Sequence, residues 1–139
     1  MSRAGPILFV ALLVASVVVA ATVLHARSPD LAIQVTRFTK EINPRGNGND
    51  RVAHIRFFVR ESDPDATVEI VGPDLRLIRI LASRPLVANE PVSFRWNGRT
   101  SSGALASPED RYRLRVLLPN RDRDMVYPRR ISVRPVGPQ

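Results

Sequence analysis

Between Arg3 and Arg27 no side chain carries a fixed charge, and the run from Pro6 to Leu24 is apolar apart from Ser16 and Thr22. A helix of about 20 residues crosses a hydrocarbon core of roughly 30 Å, whereas the apolar region of a cleavable signal peptide usually has about 7–15 residues. Residues 6–25 are therefore expected to form one N-terminal transmembrane helix, a signal anchor in the cell membrane, with residues 1–5 as a cytoplasmic tail and the rest of the chain extracytoplasmic. Arg3 and the α-amine lie on one side of the span, and Arg27, partly offset by Asp30, on the other. That bias is small, but so short an N-terminal tail cannot be a domain, so the folded part follows the span. Val18-Val19-Ala20, Val19-Ala20-Ala21 and Leu24-His25-Ala26 each end in the small residue a signal peptidase prefers, which leaves secretion after cleavage as the alternative.

With that segment set aside, the 139-residue chain has room for one domain and not for two. It has no cysteine. Disulfides, thiolate metal sites and cysteine nucleophiles are thereby excluded, and an exported domain must rely on its core alone. The net charge of +8 comes almost wholly from arginine, Lys40 being the one lysine among 21 basic residues. Arginines that neutralise phosphates would suit nucleic acid. Export puts the chain among phospholipid headgroups and acidic wall polymers instead, so no nucleic-acid partner is expected.

Past Arg27 the apolar residues fall in short alternating runs cut by Pro, Gly, Asn and Asp, which is the pattern of strands and turns. Strands are expected near 31–38, 52–60, 67–71, 76–81, 92–96, 111–118 and 127–134. In the second, Ala53, Ile55, Phe57 and Val59 share the core face, and His54, Arg56, Phe58 and Arg60 the other. In the sixth, Tyr112, Leu114, Val116 and Leu118 alternate with Arg111, Arg113, Arg115 and Leu117. Phe57, Phe94, Trp96, Tyr112, Leu114 and Val116 are the expected shared core. About seven short strands with many prolines point to an all-β fold, an immunoglobulin-like antiparallel β-sandwich with Greek-key connections.

Thr67–Leu81, followed by Phe94-Arg-Trp-Asn-Gly-Arg-Thr-Ser-Ser-Gly103 and Tyr112-Arg-Leu-Arg-Val116, resembles the FlgD-type immunoglobulin-like domain. Phe94, Trp96, Asn97, Gly98, Gly103 and Tyr112 match that family's spacing. Ile42-Asn-Pro-Arg-Gly-Asn-Gly-Asn-Asp-Arg-Val52 looks like the opening that often precedes such domains in exported proteins. The match covers residues 38–134, with 26–37 as linker and first strand and 135–139 as a tail. The chain departs from the family at Leu75 and Asp110, where glycines are usual. The resemblance implies a structural or interaction module of the bacterial cell envelope.

No catalytic constellation stands out. His25 and His54 have no metal-binding spacing, no nucleophile elbow or phosphate-binding glycine loop is present, and Asp63-Pro-Asp65 and Glu109-Asp110 read as turns. Asn47, Asn49 and Asp50 offer too few carboxylates for Ca²⁺. The expectation is a non-catalytic module without cofactor or metal, held at the membrane by its helix, whose partner is an envelope protein or an anionic cell-wall polymer. A carbohydrate-binding accessory domain is the alternative, and a flagellar hook-assembly scaffold the second. Arg111, Arg113, Arg115, Arg130 and Arg134 are expected on one outer face formed by the last two strands, as a stripe that no acid interrupts and that suits an anionic surface.

Overall fold

The computed structural model describes residues 32–135, all within one compact unit that starts at Leu31. The expected anchor over 6–25 and the tail 1–5 lie outside the described residues. No helix among the described residues is long and apolar enough to cross a membrane.

The described residues form a β-rich, sandwich-like fold with nine strands among them: β1 (Ile33–Phe38), β2 (Glu41–Ile42), β3 (Ala53–Val59), β4 (Thr67–Val71), β5 (Leu77–Ser83), β6 (Val92–Trp96), β7 (Arg111–Leu118), β8 (Arg123–Val126) and β9 (Ile131–Val133). One sheet has the order β1-β3-β6. The other runs β2-β9-β7-β4-β5, and β8 pairs with the second half of β7 while β9 pairs with its start. All pairings are antiparallel except β2 with β9.

Alternation decides which face closes the core. Ala53, Ile55, Phe57 and Val59 on β3 are buried, as are Tyr112, Leu114, Val116 and Leu118 on β7. They join Phe94, Trp96, Ile131 and Val133 in one hydrophobic cluster. The two sheets meet where the rings of Trp96 on β6 and Tyr112 on β7 pack edge to face, 5.2 Å between centroids. Such aromatic pairs contribute about 0.5–1.5 kcal/mol beyond their buried area.

Two strands go beyond the seven expected. β2 is two residues long and exists through its pairing with β9. β8 is the other, over residues that precede the expected strand at 127–134; that strand itself is confined to β9, because Pro128 supplies no backbone donor and pairing starts only at Ile131.

The β4–β5 connection holds its residues in an unusual conformation. Arg76 N–H donates to the Pro73 carbonyl at 3.2 Å, and both central residues, Asp74 and Leu75, have φ of +57°. That is a type I′ turn, whose preferred sequence is Asp-Gly. Leu75 accepts the left-handed conformation with its side chain exposed. Leu75→Gly removes a penalty of about 1–2 kcal/mol but adds unfolded-state freedom, so a net stabilisation of roughly 0.5–1 kcal/mol is expected. Thermal unfolding checks it: a lowered Tm would mean that the leucine side chain does useful packing.

Candidate functional site

The aromatic residues at the centre of the fold are committed to it. Trp96 is buried and its Nε1–H donates to the Arg99 carbonyl at 2.9 Å. The Tyr112 hydroxyl donates to the Ser107 carbonyl at 2.7 Å, five residues upstream, the geometry of the tyrosine corner found in immunoglobulin-type sandwiches. Phe57 and Phe94 stack with centroids 5.7 Å apart. Leu114 and Val116 are fully buried beside them. Phe58, on the outward face of β3, is half-buried.

The expected arginine stripe is interrupted by acids, contrary to the sequence reading. β7 directs Arg111, Arg113 and Arg115 outward, but β4 sets Glu69 directly opposite Arg115 and β8 brings Asp124 to its other side. Arg115 donates to Glu69 Oε1 at 3.3 Å and to both Asp124 oxygens at 2.8 and 2.6 Å. Its guanidinium holds the Asp124 carboxyl below the usual carboxylate range, the hydrogen bond outweighing the effect of burial. Arg134 pairs with Glu41 from β2. Arg111 donates to the Pro108 and Asp110 carbonyls. Arg113 and Arg130 border a groove of about 480 Å³ with Asp74, Glu109 and Asp110 in its wall. The acids arrive from β2, β4, β8 and two turns, which alternation on β7 and β9 alone does not reveal.

Asp63 does more than make a turn. Only 1% exposed, its carboxylate accepts from Asp65 N–H at 2.8 Å, Asn120 N–H at 2.8 Å and Asn120 Nδ2 at 2.7 Å. Its backbone exchanges two hydrogen bonds with Leu86. One side chain thus ties the β3–β4 loop to the β7–β8 turn. Burial pushes the carboxyl up, but the Asn120 and Asp65 donors and the Arg121 charge outweigh it, and the group sits below its ordinary value. Asp63 and Asp124 therefore bind protons more weakly folded than unfolded. Their contribution is fully present above the ordinary aspartate value near 3.8 and is lost as pH falls through the lower folded values. Denaturant midpoints should fall steeply with acid below about pH 4, and Asp63→Asn should flatten that dependence. An unchanged acid limb in the variant would remove Asp63 from the explanation.

A second basic face lies on the three-stranded sheet. The outward positions are Gln34 and Arg37 on β1, His54, Arg56 and Phe58 on β3, and Ser93 and Arg95 on β6. None is acidic. Arg37 stands directly opposite Arg56, and Arg95 opposite His54. With Ile55, Ser93 and Phe94 these four line a shallow cleft of about 220 Å³. Burial, then Arg37 and Arg95, lower the His54 imidazole from its ordinary value. No ion pair reaches Arg37, Arg56 or Arg95 among the described residues.

Arg37 is there because of a bulge. The β1–β3 register shifts by one between Val35 and Arg37, so Thr36 is the extra residue and its hydroxyl donates to the Arg56 carbonyl at 3.2 Å. Unbroken alternation from the inward Val35 would turn Arg37 to the core face. The bulge sends Arg37 outward and Phe38 inward against Tyr127. The signal in the sequence is the absence of acids from the outward positions of three strands; the bulge itself leaves none.

No group of three or more His, Asp or Glu side chains converges to hold a metal ion among the described residues. No protein-family model matches the chain, and no curated protein matches it in sequence.

Proposed function

We propose that this chain is a non-catalytic, membrane-anchored extracytoplasmic module of the bacterial cell envelope, with an immunoglobulin-like fold of the FlgD type and a structural or protein- and wall-binding role. The observation that carries the reading is the junction around Trp96. Gly98, with φ of +76°, lies so close to Pro44 that a Cβ would come within 2.9 Å of its Cγ. Trp96 packs on Tyr112, and Tyr112 closes its corner on Ser107. The residues that carry the resemblance are thus the ones that join the opening segment, the Trp-Asn-Gly turn and the tyrosine strand. Gly103, with φ of +88°, ends a second turn, beyond the Arg99–Leu105 bridge, where Gly103 N–H donates to the Thr100 carbonyl. That accounts for the spacing of the two glycines.

The anchor reading rests on the uncharged run between Arg3 and Arg27. Because the chain has no cysteine, Ser102→Cys, on an exposed turn, gives a single reporter. A membrane-impermeant maleimide should label it in intact bacterial spheroplasts, and mass spectrometry should find the N-terminal peptide still attached. Labelling only after lysis would overturn the topology; a mature terminus between Ala21 and Ser28 would overturn the anchor.

A further inference from the structure

We propose that the cleft formed by Arg37, Arg56, Arg95 and His54 on the outer face of the three-stranded sheet binds the phosphate of an anionic phospholipid headgroup. The contrast with the other sheet carries the argument. There, Arg115 and Arg134 pair with carboxylates, and Arg113 and Arg130, which have no ion pair among the described residues, still border a groove whose wall holds Asp74, Glu109 and Asp110. Here, three guanidiniums surround a histidine with no acid at any outward position of the three strands. Like charges set directly opposite each other across a ladder destabilise a sheet, yet Arg37 faces Arg56, and it does so only because β1 carries a bulge. Bulges are over-represented next to functional sites, where they re-aim a side chain. A local arrangement that opposes stability without a compensating contact within the fold is the mark of a site completed from outside.

The chemistry of the missing partner follows from the donors. Guanidiniums are planar forks that match phosphate oxygens two at a time, and the Ser93 hydroxyl adds one more donor in the same cleft. At about 220 Å³ the cleft is smaller than the roughly 300–1,000 Å³ of pockets for drug-sized ligands, which suits a single phosphoryl group. The headgroup, in preference to a free phosphate ester, is favoured by chain length. Arg37 follows Leu24 by thirteen residues, and at about 3.3–3.6 Å per residue a chain of that length reaches at most roughly 47 Å. The headgroup assignment therefore rests on the anchor reading, whereas phosphoryl recognition does not.

The test uses the full chain in nanodiscs of phosphatidylcholine, with and without phosphatidylglycerol, and follows His54 by the NMR titration of its imidazole. The chain has two histidines, so loss of one signal in His54→Gln assigns it. The charged groups around it are Arg37 from β1, Arg95 from β6 and Arg56 on its own strand. A phosphate among them stabilises the imidazolium, so the titration should move to higher pH in phosphatidylglycerol discs and not in pure phosphatidylcholine. The shift should disappear in the double variant Arg56→Gln with Arg95→Gln while the Tm holds or rises. It should also weaken as salt shortens the screening length from about 10 Å at 0.1 M to 3 Å at 1 M. Identical titrations in the two kinds of disc would overturn the proposal. An equal shift produced by millimolar inorganic phosphate in phosphatidylcholine discs would keep the phosphoryl site and overturn the headgroup. A chain that fails to enter the discs sinks the anchor alone; phosphatidylglycerol vesicles added to it then read the cleft by the same His54 shift.

Discussion

Trp96→Ala should remove about 3–5 kcal/mol of stability, the usual range for truncating a buried tryptophan to alanine. Trp96 is 1% exposed and spans the two sheets through its contact with the Tyr112 ring. Its truncation opens a cavity between the layers and leaves the Arg99 carbonyl without its 2.9 Å donor. Domains of this size are stable by about 5–15 kcal/mol, and this one has no disulfide to limit the unfolded chain. The variant should therefore lose a large fraction of its stability and sit near unfolding at physiological temperature. Denaturant titration with circular dichroism measures the loss. Trp96→Phe, which keeps much of the apolar area and removes the Nε1–H, should cost far less and separates packing from the hydrogen bond. A Trp96→Ala domain with an unchanged midpoint would place the indole outside the core.

What the sequence makes legible is what a period of two can encode. β3 and β7 alternate over seven and eight residues with one face against the core, so their inward residues can be read directly. The Asp74-Leu75 turn shows as a hairpin, and its positive φ values follow from where a glycine is usually found. What is not legible depends on partners far along the chain. β2 has two residues and no pattern of its own; its reality is the parallel pairing with β9. Asp63 looks like any turn aspartate until Asn120, 57 residues away, closes on it. The charge of Arg115 is matched by Glu69, 46 residues upstream, so a face that looks uniformly basic along β7 is interrupted across the ladder at that position. The basic cleft fails for the opposite reason. Arg37 reaches it through a bulge, and one extra residue inverts the facing of every position that follows.

Gly98→Ala is the second large effect, and it tests whether the opening segment and the Trp-Asn-Gly turn form one unit. The substitution forces an alanine to φ of +76° and sets its Cβ 2.9 Å from Pro44 Cγ and 3.0 Å from Ile42 Cδ1. Neither neighbour yields easily, because the proline ring is rigid and Ile42 is 1% exposed. The left-handed backbone costs about 1–2 kcal/mol and overpacking about 1–3 kcal/mol, so a total of roughly 2–5 kcal/mol is expected. Gly103 supplies the control. Its φ is +88° but nothing lies within 4 Å of the added Cβ, so Gly103→Ala should show the backbone term alone. The difference between the two variants isolates the contact with residues 42–44. Pro44→Ala in the Gly98→Ala background should recover part of that difference, since the Cγ that the new methyl meets is gone. Equal losses from Gly98→Ala and Gly103→Ala would mean that the opening segment does not rest on the turn, and the junction on which the proposed immunoglobulin-like reading depends would be lost with it.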